Sequence, residues 1–133
     1  GVCFLLITAL ALAPMQWPES PFALIARGVF SGLCHQDPDR SFLRDGHAMA
    51  VCHRCTGIYL GLALGALAAL GLRPDASRKS YWLAGVAPLA LQVALGWVFP
   101  ALDLYWLRVA TGLVAGGAGG LLLASAVAGP RKV

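Results

Sequence analysis

The sequence predicts an all-α fold: a polytopic membrane bundle of about four transmembrane helices, with one interfacial helix and a Cys/His-rich loop. Three observations carry this prediction. The 133 residues are 59% hydrophobic and only 12% charged, whereas about a quarter of an ordinary soluble domain is charged. The apolar residues fall in long runs, broken at Pro18–Pro21, Arg73–Ser80 and Pro100–Asp103. Three of the four cysteines and all three histidines fall between Cys34 and Cys55. The length suits a single membrane domain over residues 1–133, with the cysteine loop at residues 34–55. The net charge of +4 is spread along the chain without a basic stripe, so no nucleic-acid partner is expected.

Val2 to Trp17 is apolar up to Gln16 and reads as the first span. Ala11-Leu12-Ala13 resembles a signal-peptidase site, but no basic segment precedes it and the stretch is retained in the chain. Pro18-Glu19-Ser20-Pro21 is a break. Ser20 or Glu19 precedes the next helix, and Pro21 suits a first helical position, where its missing N–H costs nothing. Phe22 to Leu33 is too short to cross a bilayer, which takes ~20 residues, so it reads as an interfacial helix leading into Cys34.

Thr56 to Leu72 reads as the second span, with Gly57, Gly61 and Gly65 four apart on one helical face. Arg73 to Ser80 is a basic turn. Tyr81 to Phe99 is the third span, with aromatic residues at both ends and Gln92 as its one strongly polar residue. Leu104 to Ala128 is the fourth span, with Gly112, Gly116 and Gly120 again four apart. Small residues at this spacing let membrane helices approach closely, so both glycine stripes are expected to face neighbouring helices. The Gly116–Gly120 run is not a dinucleotide loop, because no strand precedes it.

Counting spans places the cysteine loop, Asp103 and the start of the fourth span on one membrane face. The positive-inside rule places the Arg73–Ser80 turn in the cytoplasm and the cysteine loop opposite, once the arginines held within a folded site are discounted.

Cys52 and Cys55 form a C-x-x-C at a helix start. This spacing presents two thiolates to one metal, and the helix N-terminus favours their anionic form. Cys34 is the natural third ligand. His35, His47, His53 and Asp37 are candidates for a fourth. His35 adjoins Cys34, His53 lies within the C-x-x-C turn with its ring expected to point away, and His47 is the freest by geometry. Zinc leads. A disulfide or redox-active pair, without cofactor, and an iron–sulfur cluster are the alternatives. Haem attachment is excluded, because Thr56 follows Cys55. Cys3 stands apart and is expected to be a core residue. Asp37-Pro38-Asp39-Arg40-Ser41 reads as a turn with a charge pair. Arg54, between two candidate ligands, suits a hydrogen bond to thiolate or carboxylate. Asp103 and Arg108 are costly beside a membrane unless paired.

The pattern Cys34-His35-Gln36, then Arg40-Ser41-Phe42, then Gly46, then Cys52-x-Arg54-Cys55-Thr56-Gly57-Ile58-Tyr59-x-Gly61 resembles a bacterial domain-of-unknown-function family of small predicted membrane proteins. The resemblance is looser from Pro100 to Gly116, at Asp103 and Arg108-x-x-Thr111-Gly112-Leu113-x-x-Gly116. It implies a shared site of Cys34, His35, Arg40, Cys52, Arg54, Cys55, Asp103 and Arg108, and it makes His35 the fourth ligand. His47 and His53 fall outside the shared pattern. It implies a bacterial inner-membrane location and carries no activity with it.

Two functions remain. One is an accessory or structural subunit whose zinc loop docks on partner subunits of a larger membrane complex. The small size and the glycine-striped helices favour it. The other is a membrane enzyme or thiol/redox carrier acting on a lipid, quinone or thiol, favoured by the charged residues gathered on one face.

Overall fold

The computed structural model describes residues 2–71, 79–99 and 104–128. The described residues form five α-helices and one two-stranded sheet. Helix α1 spans Val2–Gln16 and α2 spans Pro21–Ser31. Ser20 caps α2 by accepting a hydrogen bond from the Ala23 N–H at 3.2 Å, and Pro21 occupies the first turn. A short 3-10 turn, Pro38–Arg40, follows and leads into strand β1, Ser41–Arg44, and strand β2, His47–Cys52.

The strands pair antiparallel, with Arg44 opposite His47 and Leu43 opposite Ala48, and the register shifts between Ser41 and Leu43. The connection is the two residues Asp45 and Gly46, with φ of +52° and +80°. Two successive left-handed residues match the right-handed strand twist and close the hairpin tightly, a conformation that Asp-Gly tolerates. Strand β2 carries four buried residues in a row, Ala48, Met49, Ala50 and Val51. It is covered on both faces. Met49, Ala50 and Val51 form one core with Ala11 of α1, Ala26 and Phe30 of α2, and Cys34. The Arg27 guanidinium donates to the Ala48 carbonyl at 3.2 Å, fastening α2 to this strand.

Helix α3, His53–Ala68, follows β2 directly, and α5, Tyr105–Ala128, lies against it. The contact is backbone to backbone. A Cβ built on Gly57 would collide with the Val109 carbonyl, one on Gly61 with the Leu113 carbonyl, and one on Gly65 with the Gly117 carbonyl. From the other side, Gly112 meets the Arg54 carbonyl, Gly116 that of Ile58 and Gly120 that of Leu62. Contacts advance in the same sense along both helices, so α3 and α5 run parallel and their N-termini share one end. Helix α4, Lys79–Val98, packs against α5. Gly85 of α4 meets Ala118 of α5, and Gln92 of α4 reaches Arg54 near the start of α3, so α4 runs antiparallel to both.

The expectation of an all-α fold with four transmembrane helices needs correcting in three places. Among the described residues, two helices are long and apolar enough to cross a membrane, through Ser80–Val98 and Tyr105–Val127. The second expected span is a 16-residue helix, or ~24 Å at 1.5 Å per residue, short of the ~30 Å hydrocarbon core, and the first expected span is described as a helix over Val2–Gln16. The cysteine loop contains a β-hairpin, which the hydropathy reading did not include. Cys3 is exposed rather than in the core. The Arg73–Ser80 turn, apart from its last two residues, and Asp103 lie outside the described residues.

Candidate metal centre

Three elements bring the cysteines together. Cys34 follows the end of α2, where its N–H donates to the Phe30 carbonyl at 2.8 Å, and it is buried. Cys52 ends β2 and is also the N-cap residue of α3. Cys55 lies in the first turn of α3. The sulfurs of Cys34, Cys52 and Cys55 all lie within 4.8 Å of one another, and all three are free thiols. Sulfurs bound to one tetrahedral ion at ~2.3 Å stand ~3.8 Å apart, so the cluster needs only a small contraction to close on a metal. Three nearby cysteines of this geometry could hold a metal ion.

Backbone and side-chain hydrogen bonds fix the cluster. The Cys52 N–H donates to the Cys34 sulfur at 3.2 Å. The Thr56 hydroxyl lies 3.1 Å from the Cys52 carbonyl and 3.6 Å from the Met49 sulfur. Gln36, at a left-handed φ of +52°, donates its amide to the Arg27 carbonyl at 2.7 Å and so anchors the segment after Cys34. The hydrogen bond shared with the Cys55 thiol pulls the Cys52 thiol down to about 5, against a raising effect of burial, with further help from the Cys55 backbone, the Cys34 thiol and the Arg54 backbone. The same shared bond, with burial, pushes Cys55 upward.

The three cysteines line a cavity of about 370 Å³. His35, Asp37, Arg40, Arg54 and Arg108 also line it. Arg40 and Asp37 form an ion pair at 3.4 Å, across the 3-10 turn that Asp37 itself caps through the Asp39 N–H at 3.1 Å. Arg54 donates from Nη2 to the Gln92 side-chain oxygen at 2.7 Å, while its Nε is buried without a hydrogen-bond partner.

The structure sorts the expected site residues. Three sulfurs meet. His35 is exposed and lines the same cavity but lies outside the three-sulfur group. His47 is exposed at the start of β2. His53 is buried, with its ring edge-on to Phe42 at 4.4 Å and tilted against Tyr105 at 5.8 Å. Burial holds its pKa below the usual range, and the charge of Arg108 adds to this. Arg54, expected on a thiolate or carboxylate, holds the Gln92 amide instead. Gln92 is the residue that the sequence marked only as the polar member of a span. It is buried, and its polarity in an apolar helix was the available signal. Arg40 and Arg108 reach the cavity, and Asp103 lies outside the described residues.

A family described as "Predicted membrane protein (DUF2085)" matches residues 34–124. The match begins at the first cysteine of the cluster and runs almost to the end of α5. An uncharacterised protein of Methanocaldococcus jannaschii is 35% identical over 92 residues, covering 66% of this chain and 59% of that protein. An uncharacterised protein of Methanothermobacter thermautotrophicus is 56% identical over 32 residues, covering 24% of this chain and 29% of that protein. The chain thus spans about three fifths of the first relative and under a third of the second. Both of these relatives are archaeal, so they do not carry the bacterial source implied by the resemblance. No solved structure gives a significant match.

Proposed function

The chain belongs to this family of predicted membrane proteins, and on that premise we propose that it is an integral membrane protein holding one zinc ion through the thiolates of Cys34, Cys52 and Cys55. The observation that carries the reading is the meeting of three free sulfurs from three separate elements within 4.8 Å. A thiolate-rich donor set selects a soft or borderline ion, zinc before magnesium or calcium. Bound zinc would supply a Lewis-acidic centre with a fourth coordination position, as three-ligand sites do. The chain's own residues would tie the end of α2, the end of the hairpin and the start of α3 to that ion. Such a tie stabilises a loop that the short hairpin alone leaves marginal.

In this reading the protein is an accessory subunit, with its cysteine loop on the face opposite a cytoplasmic Arg73–Ser80 turn. The apolar groove on α4 around Val86, Val93 and Trp97 is open to lipid or to a partner helix. The alternative of a membrane enzyme or thiol carrier is favoured by one observation: the cysteines face a cavity with three arginines. Metal analysis of the purified protein tests the centre. One zinc per chain, lost in Cys52→Ser, supports it. Absence of bound metal, or a disulfide joining Cys34 to Cys52 or Cys55, overturns it. Stable co-purification with other membrane subunits supports the accessory role, and a protein that runs alone in mild detergent counts against it.

A further inference from the structure

Helix α2 sorts its side chains by face. Ala23, Ala26 and Phe30 are buried, the last two in the core shared with α1 and β2. Phe22, Ile25 and Val29, with Leu33 in the turn that follows, are each more than half exposed. They are spaced three, four and four apart, so they share one side of the helix. Arg27 and Ser31 fall on nearly the opposite side, where Arg27 donates to the Ala48 carbonyl of the hairpin. Leu24 is exposed as well, outside the stripe. The 11 residues of α2 cover ~16 Å, about half of the hydrocarbon core. An uncharged apolar side opposite an arginine, on a helix too short to cross, is the pattern of a helix that lies in the membrane surface.

We propose that this side of α2 lies on the bilayer, in the acyl layer just below the headgroups, and that the rim of the cysteine cavity therefore meets the membrane surface. This rests on the integral-membrane reading above and not on the metal. Depth supports it. The apolar span of α5 begins at Tyr105, and Tyr105 and Trp106 are exposed there, as aromatic residues at a membrane boundary are. The His53 ring lies 5.8 Å from that of Tyr105, and Gly112 meets the Arg54 carbonyl, so the first turn of α3 sits beside the first two turns of that span. Cys55 is in this turn, and its sulfur is within 4.8 Å of that of Cys34, three residues past the end of α2. The end of α2 is thereby held at the depth where the span begins. Continuity supports the second part. Leu33, the last member of the apolar stripe, also lines the cavity with Cys34, Cys52 and Cys55. An amphiphile in the bilayer thus reaches the rim of the cavity by lateral diffusion.

The test places the photoreactive residue p-benzoylphenylalanine, one site at a time, at Ile25, Val29 and Leu33 of the full chain in phosphatidylcholine nanodiscs. Trp97, exposed near the end of α4, is the reference within a span, and His47, exposed at the start of β2, is the control outside the stripe. Circular dichroism checks that each variant is folded, and mass spectrometry of the irradiated protein reads the adduct. The expected result is a mass gain of one phospholipid at Ile25, Val29, Leu33 and Trp97, with none at His47. Lipid at Trp97 without lipid at Ile25 and Val29 overturns the inference and leaves the membrane reading standing. No lipid at any site overturns both. Crosslinks from Ile25 or Val29 to a second copy of the chain make this side a contact between copies and overturn it as well, as does labelling of His47 as strong as that of Ile25. Lipid at Ile25 and Val29 but not at Leu33 overturns the placement of the cavity rim.

Discussion

The backbone N–H of Cys52 points at the sulfur of Cys34 across 3.2 Å, although the two residues are eighteen positions apart in sequence. This bond joins the end of the hairpin to the end of α2 without help from a metal. It holds two sulfurs near their working separation, while the turn of α3 brings in the third.

Replacing Cys52 with Ser should therefore abolish stoichiometric metal binding and loosen residues 34–52, while α4 and α5 stay inserted. Metal analysis reads the first effect, and hydrogen exchange of the hairpin amides reads the second. Because thiolates must be deprotonated to bind, metal retention in the parent protein should fall as the solution is acidified, and a chelator should lower its melting temperature.

Gly61→Leu or Gly116→Leu would drive a side chain into a backbone carbonyl of the facing helix. Overpacking of this kind costs about 1–3 kcal/mol, occasionally more, and here the obstacle is backbone rather than a movable side chain. Thermal unfolding in detergent should show a clear loss for each. Gly28 is the control. A Cβ there meets nothing within 4 Å, and it sits inside α2. Gly28→Ala should stabilise by about 0.5–1 kcal/mol through helix propensity.

Gly46→Val places a β-branched residue at φ +80°. The left-handed region costs non-glycine residues roughly 1–2 kcal/mol, and branching adds to that. Faster exchange of the Leu43 and Ala48 amides should follow. Asp45→Asn should leave the hairpin as stable as before, since Asn-Gly suits the same turn.

Gln92→Leu removes the acceptor for Arg54 Nη2 and leaves a part-buried guanidinium short of a second bond, beside an Nε that already lacks one. Hydrogen bonds to charged groups contribute about 1.5–3 kcal/mol. Gln92→Leu should destabilise by that order. The pair Arg54→Met with Gln92→Leu should recover much of the loss, which a double-mutant cycle of melting temperatures would show.

The apolar runs of α4 and α5 and their ends were legible because hydropathy and length are local properties. The pairing of Gly57, Gly61 and Gly65 with the helix that carries Gly112, Gly116 and Gly120 follows the same logic, since a four-residue spacing has one face. The hairpin was not read, because β2 is buried on both sides and Ala48 to Val51 show no alternation. Asp45-Gly46 was the available signal, in a stretch weighed only for its metal donors. The position of His35 depends on the left-handed backbone of Gln36, which no spacing states. The bond from Arg54 to Gln92 joins residues 38 apart in sequence, on helices whose relative direction becomes visible only once α3 and α5 are seen to run parallel.

That parallel pairing also sets an order of events during synthesis. The three cysteines, the hairpin and the first turn of α3 lie within 22 consecutive residues, 34–55, and can gather as soon as that segment leaves the ribosome and settles. The cavity beside them cannot be completed so early. Arg108 arrives only after α4 has crossed back and α5 has begun to insert, and the glycine faces must then lock before Arg108 can line that cavity. A chain arrested before α5 would therefore carry a gathered cysteine cluster open on its Arg108 side, and the closing step is the insertion of the last helix.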